Sequence, residues 1–328
     1  MKEKVITEVM QGMIHNLDNA QMIQLREVLK QVLFNYEIIE GKQTKEEDKS
    51  DDLIRNFISA KRIEGCSEKT LKYYQTTIET MVASIGKGIQ HVLTEDLRLY
   101  LTDYQSKNNS SKVTIDNIRR ILSSFFSWLE DEDYIIKSPV RRIHKVKTAS
   151  IIKETYSDEE LEKMRDNCEE LRDLAIIDML ASTGMRIGEL VLLNRDDINF
   201  SESECVVFGK GDKERIVYFD ARTKLHLREY LSCRTDDNLA LFVTLRSPNK
   251  RIAIGGIENR LRKLGNRLNI PKVHPHKFRR TMATKAIDKG MPIEQVQKLL
   301  GHKRVDTTLQ YAMVKQSNVK TAYKKYLG

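Results

Sequence analysis

Apolar residues recur at three- and four-residue spacing along most of this chain, and residues 204–219 offer its best candidate for strands. That pattern confines the chain to a mainly α fold with a small β-hairpin or sheet. Val5, Val9, Met13 and Ile14, then Met22, Leu25, Val28, Leu29, Val32 and Leu33, predict two helices within residues 1–40, with Asn16 and Asp18 as start signals for the second. Residues 41–52, GKQTKEEDKSDD, are charged and free of aromatics, which reads as a linker.

Residues 51–146 read as all-helical. Leu53, Ile54, Phe57 and Ile58 form one stripe; Ser67 precedes a helix carrying Leu71, Tyr74, Ile78 and Val82. Thr94 opens another with Leu97, Leu99, Tyr100 and Leu101, and a helix from Lys112 carries Ile118, Ile121, Leu122, Phe125, Phe126 and Leu129. Pro139 closes the segment, and the basic run RRIHKVK leads onward. The third segment starts with Ser157 and Glu160 as a capping box before Leu161 and Met164. An apolar helix follows from Leu171 to Ser182, ending at Thr183-Gly184. The stretch ECVVFGKGDKERIVYF places two apolar strands around a Gly-Lys-Gly-Asp-Lys turn. Helices then dominate, with Pro292 expected as a first helical residue and Gly301 as a stop. The resulting division is a helical extension and linker (1–50), a helical domain (51–146) and a mixed α/β domain (147–328).

The 328 residues carry a net charge of +9. Residues 1–50 hold seven Lys and Arg against nine Asp and Glu, residues 51–150 sixteen against thirteen, and residues 151–328 thirty-three against twenty-five. Positive charge gathered in the C-terminal half suits a polyanion, whose neutralised phosphates release counterions; on charge alone a solvated basic surface fits equally well. Cys66, Cys168, Cys205 and Cys233 are scattered without a CxxC pair, which argues against a zinc ribbon or disulfide framework. No apolar run approaches the roughly 20 residues of a membrane span, and the N-terminus lacks a signal-peptide core. A cytoplasmic protein without membrane partners is expected.

Six side chains stand out in the third segment: Arg186 in TGMRIGEL, Lys210 in GKGDKER, His276 and Arg279 in HKFR, His302 in LGH, and Tyr311 in TTLQYA. Singly, each has a plain reading. Arg186 could be a surface arginine held by Glu189, and Lys210 a turn lysine. His302 could cap a helix end, and Tyr311 could be packing. His276 and Arg279 sit three residues apart and so share a helix face. His274, His276 and His302 could suggest zinc, but no acidic or cysteine ligand completes a recognised spacing. No metal or other cofactor is expected.

Jointly, these residues and their order resemble the catalytic domain of the tyrosine recombinase (lambda-integrase) family, especially its compact Xer-like members. The resemblance reaches upstream, where SEKTLKYYQTTIETM and SSFFSWLEDEDYIIKSPV look like the family's helical core-binding, SAM-like domain, so it spans about residues 51–328. Arg280 stands where the family often has a second histidine, and the first 50 residues match no known part of it.

The resemblance implies a site-specific recombinase that cuts and rejoins DNA through a 3′-phosphotyrosyl intermediate on Tyr311. Arg186, Arg279 and His302 would bind the phosphate, His276 would serve as base and Lys210 as acid. It implies double-stranded DNA with paired recombination sites as partner, and a domain on either face of the duplex. Four protomers would assemble there, with Val319, Ala322 and Tyr323 of the tail available for a neighbour and a directionality factor as a further partner. An integrase of a mobile element or phage is the first reading, and a Xer-like dimer resolvase the second. A DNA-binding regulator without catalysis, or a topoisomerase using the same covalent step, would differ in activity.

Overall fold

A computed structural model describes residues 1–38, 49–147, 154–209, 214–302 and 304–311. The chain divides into two compact units, Met1–Ala149 and Ser150–Gly328.

The first unit begins with α1 (Lys2–Met13) and α2 (Asn19–Leu33), which pack on each other. Asp18 caps α2 by accepting from the Gln21 backbone while Gln21 returns the bond to Asp18. Ile6 is the buried residue of this pair. The larger part is α3 (Ser50–Ile63), α4 (Glu68–Ile85), α5 (Thr94–Asn108) and α6 (Lys112–Asp131). Ser67 and Ser111 each accept the N3 backbone N–H of the helix they start. One apolar stripe per helix converges on a core of Phe57, Leu71, Ile78, Met81, Leu97, Leu122, Phe125, Phe126 and Leu129, all essentially sealed from solvent. Phe57 meets Phe125 edge-on at 5.1 Å, a geometry that suits the ring quadrupoles.

The second unit contains α7 (Asp158–Asp166), α8 (Leu171–Thr183) and α9 (Ile187–Leu192), then β1 (Ile198–Asn199), β2 (Glu204–Phe208) and β3 (Glu214–Tyr218). It continues through α10 (Ala221–Ser232), α11 (Ile254–Arg267), α12 (Pro275–Asp288), α13 (Ile293–Leu300) and α14 (Val305–Leu309). The strands form one antiparallel sheet in the order β1-β2-β3, with Val207 opposite Arg215 and Cys205 opposite Val217. Buried α8 lies at the centre, packed by α10, α12 and α7. A smaller cluster of Ala283, Val296 and Leu300 joins α12 to α13, with Tyr311 packed against it.

The mainly helical fold with its small sheet matches the periodicity, and the capping box at Ser157 and Glu160 forms as the sequence indicates. Pro292 falls one position earlier than expected. Its ψ of 141° is extended, so it is the N-cap of α13 and not the first helical residue. The third strand, β1, is two residues long, too short for any periodicity to reveal. Lys210 and the tail residues Val319, Ala322 and Tyr323 lie outside the described residues. No helix among the described residues is long and apolar enough to cross a membrane.

Candidate active site

The site forms where two glycine turns meet. Helix α8 stops at Gly184, whose φ of 60° is the left-handed conformation that a glycine cap adopts at little cost. Two residues later Arg186 is the N-cap of α9, and Glu189 follows in the first turn. Helix α13 stops at Gly301, also left-handed at φ 65°. A Cβ there would stand 3.0 Å from Arg215 Cδ, so conformation favours glycine and a larger residue would press on the Arg215 side chain.

Arginines converge on the α13 end. Its last carbonyls have no partner within the helix and carry the negative end of its dipole. Arg215 Nε donates to Leu299 O at 3.0 Å, Arg279 Nη2 to Leu300 O at 2.6 Å, and Arg186 Nη2 to Gly301 O at 3.4 Å. Arg279 also donates from Nη1 to Gly184 O at 2.7 Å, tying the two glycine turns together. Arg279 is buried, and that burial, with Arg186 and Arg215 nearby, pushes its pKa down to about 10. It remains cationic at neutral pH.

Glu189 is the anionic hub. Its carboxylate is buried and accepts from Arg186 N at 2.7 Å and Arg186 Nη1 at 2.8 Å. Arg215 grips both oxygens, with Nη1 at 2.8 Å and Nη2 at 2.6 Å. Burial alone would raise this carboxyl's pKa, but the bonds from Arg215 and the Arg186 backbone outweigh it and hold the group below the usual carboxylate range.

His302 follows Gly301. Its Nδ1 lies 2.9 Å from Thr308 Oγ1, and Thr308 is fully buried. Burial first, then Arg279, Arg186 and Arg215, press the His302 pKa down to about 4. The ring is therefore neutral at pH 7, and with Nδ1 accepting from Thr308 its Nε2 would carry the proton. The Tyr311 ring stacks on it, centroids 5.9 Å apart and planes 29° from parallel. The Tyr311 backbone N–H donates to Thr308 O at 2.9 Å, so one residue orients both rings.

His276 lies in the first turn of α12, three residues before Arg279. Partial desolvation, then Arg279, Arg280 and Arg186, lower its pKa from the ordinary value. A lowered histidine pKa keeps the ring unprotonated and able to accept a proton at neutral pH. Arg280 points elsewhere, donating to Glu154 O at 3.1 Å. The structure thus brings Arg186, Arg279, His302 and Tyr311 together, with His276 within their electrostatic reach.

An open cleft of about 1270 Å³ runs beside this cluster, lined by Arg186, Arg215, Ile216, Tyr218, Gly301 and His302. Such a surface offers fixed positive charge and neutral-histidine hydrogen bonding, and the Tyr311 ring stacks on the lining His302. Arg215 is the residue that sequence reading missed. Its signal was its phase, since it shares the inward face of β3 with buried Val217 and faces buried Val207 across the ladder.

Residues 154–318 match the phage integrase family, and residues 53–136 match the N-terminal SAM-like domain of phage integrases. The tyrosine recombinase XerC of Oceanobacillus iheyensis is 31% identical over 289 residues, covering 83% of this chain and 94% of that protein. XerC of Staphylococcus aureus strain N315 is 29% identical over 285 residues, covering 81% and 93%. Among solved structures, the XerH site-specific recombinase bound to a palindromic difH substrate has a TM-score of 0.67 at 20% identity, covering 97% of this chain and 94% of that one. A lambda integrase dimer bound to a COC′ core site gives 0.66 at 16%, covering 90% and 87%. At those identities the solved structures bear on the fold, whereas the family match and the XerC identity bear on descent. The chain belongs to the phage integrase family and is a site-specific tyrosine recombinase, an enzyme that cleaves and rejoins DNA.

Proposed function

We propose that Tyr311 is the nucleophile of this recombinase, working through a 3′-phosphotyrosyl intermediate in the service of a mobile element or phage. The observation that carries the reading is the convergence of Arg186, Arg279 and His302 on one helix end, with the Tyr311 ring stacked on His302. Phosphoryl transfer gathers negative charge on a five-coordinate phosphorus, and preorganised cations and donors stabilise it. Guanidinium forks suit the two non-bridging oxygens because they stay ionised and bind bidentately.

Tyr311 Oη attacks phosphorus while the bond to the 5′-oxygen breaks. His276 takes the phenol proton and Lys210 gives one to the departing oxygen. The phosphotyrosyl bond stores the energy of the broken ester, so another strand's 5′-hydroxyl can reverse the step. No cofactor enters this scheme. Residues 51–146 act as the core-binding domain and residues 147–328 as the catalytic domain, each contacting double-stranded DNA in the cytoplasm. Exchange between two sites requires four protomers, and a directionality factor would select the outcome.

The test is a suicide substrate carrying a nick beside the cleavage point. Wild type should leave a protein–DNA adduct stable to SDS, and Tyr311→Phe should leave none. An adduct from the Phe variant would remove Tyr311 from the role. The second reading, a Xer-like resolvase of chromosome or plasmid dimers, is favoured by the match to 94% of the length of a XerC protein. Recombination between element-end sites supports the first reading, and recombination confined to paired dimer-resolution sites supports the second.

A further inference from the structure

We propose that Arg215 is a positioning residue for the cleavage step. It saturates the Glu189 carboxylate so that Arg186 is aimed by that carboxylate without being neutralised by it. The inference deepens the proposed function, resting on Arg186 as a phosphate-binding group.

Three observations carry it. First, Glu189 sits buried between two arginines, and both Arg186 Nη1 and Arg215 Nη1 lie 2.8 Å from the same oxygen, Oε1. Arg215 also holds Oε2 at 2.6 Å. A carboxylate gripped this way leaves Arg186 a single side-chain bond to it, with Nη2 turned to the α13 end. Second, Arg215 is almost wholly enclosed while Arg186 is 37% exposed. Of the two arginines on Glu189, Arg186 is therefore the one that opens to the cleft. Third, Arg215 Nε binds Leu299 O, so one side chain on β3 fixes the end of α13 on which His302 stands.

The charge arithmetic follows. One carboxylate with two guanidinium groups leaves one positive charge for a phosphate. Without Arg215, Glu189 is a buried carboxylate facing Arg186 alone, and both its oxygens can turn to that fork. Arg186 would then close a neutral bidentate pair. The cleft would lose one of the positive charges that the transition state needs, although every residue in contact with the phosphate is unchanged.

The experiment measures single-turnover cleavage of the nicked substrate at saturating protein, with the site-binding Kd taken separately. Arg215→Gln should cut cleavage on the order of 10²-fold while Kd changes less than about threefold. Arg215→Lys should fall between it and wild type, since it keeps charge without the fork. The deciding arm is Arg215→Gln combined with Glu189→Gln, which removes the competing carboxylate. That double variant should cleave about tenfold faster than Arg215→Gln alone, though slower than wild type.

A merely structural Arg215 predicts a double variant no faster than the single, and that result overturns the proposal. So does a loss of binding equal to the loss of cleavage. If Arg215→Gln melts below the assay temperature, Arg215→Lys with and without Glu189→Gln gives the same comparison. Arg186→Ala separates the two layers of the argument. When it slows cleavage but Arg215→Gln slows it further by the same factor in that background, only the positioning role fails. When Arg186→Ala leaves cleavage intact, the phosphate-binding role fails and the positioning role falls with it.

Discussion

The interiors of the two units are built from different materials. Among the described residues, the buried polar side chains of the first unit are hydroxyls, Ser50, Thr77 and Ser138, set in a core of phenylalanine, leucine and isoleucine. The second unit buries Arg172, Asp178, Glu189, Lys277 and Arg279 as well. Desolvating a charge costs several kcal/mol unless a partner and hydrogen bonds offset it, so evolution has little reason to bury one for stability alone. The contrast therefore separates a unit whose interior only holds shape from one whose interior also holds an electrostatic arrangement. Asp178, which serves no phosphate in our reading, shows that not every buried charge belongs to the site.

The largest effect expected tests the apolar side of this contrast. Phe57→Ala removes a ring that is sealed from solvent and packed on Phe125, Tyr74 and Trp128. It should cost about 3–5 kcal/mol, read as a fall in the denaturant midpoint of the first unit. Near-UV signals from the second unit should not move at that midpoint. Concerted loss of both would mean that the two interiors are one cooperative system.

Arg279→Ala is the matching change in the second unit. Its expected cost falls on the barrier, about 3–4 kcal/mol, or ~10²–10³ in single-turnover cleavage, with site binding kept. Equal losses of binding and cleavage would make Arg279 a structural clamp between Gly184 and Leu300 and nothing more. Asp178→Asn comes next. Asp178 is fully buried, with Arg165 Nε at 2.6 Å and His226 Nδ1 at 2.5 Å. The amide keeps the shape but loses the charge, so about 1–3 kcal/mol of stability should go while the cleavage rate of folded protein holds. A slowed rate at full folding would extend the electrostatic site to α10.

The two kinds of interior were unequally legible in the sequence. The first unit's helices follow from stripes of apolar residues and from Ser67 and Ser111, because burial of one face is a local pattern repeated every turn. In the second unit the glycine stops at 184 and 301 and the capping box at 157 were equally plain. The individual side chains Arg186, His276, Arg279, His302 and Tyr311 were each ambiguous alone, and only their order, through family resemblance, gave them a common purpose. The Glu189–Arg215 pair was beyond reach because 26 residues separate the partners and the pairing depends on which face of β3 turns inward. A charged residue in phase with buried Val217 was the one clue, and strand phase is read reliably only when both neighbours are known.

The pH response sharpens the contrast further. His302 and His276 both have lowered pKa values, the first near 4. As pH falls, their protonation in the folded protein lags behind that in the unfolded chain. Stability is therefore unaffected by them above the ordinary histidine pKa of about 6.5 and declines as pH drops from there toward 4. Cleavage should be level at neutral pH and fall on acidification as His276 takes a proton and can no longer accept one. An acid limb already centred above pH 6.5 in single-turnover cleavage would contradict the lowered His276 value.

The smallest expected effects lie at the surface, where the contrast should vanish. Ser67 and Ser157 each accept an N3 backbone N–H, at 3.3 and 3.0 Å, one in each unit. A cap's worth comes from a local orphan N–H in contact with water, not from what the interior contains. Ser67→Ala and Ser157→Ala should therefore cost about the same, roughly 1 kcal/mol each, as shifts in the melting curve. Neither should alter cleavage. Ser157 is the sharper case because the neighbouring Tyr156 backbone donates to Thr281 on α12, the helix that carries His276 and Arg279. A slowed reaction in Ser157→Ala at unchanged folding would show that the entry to α7 helps set the arginine fork. The line between scaffold and site would then run through the second unit rather than between the two.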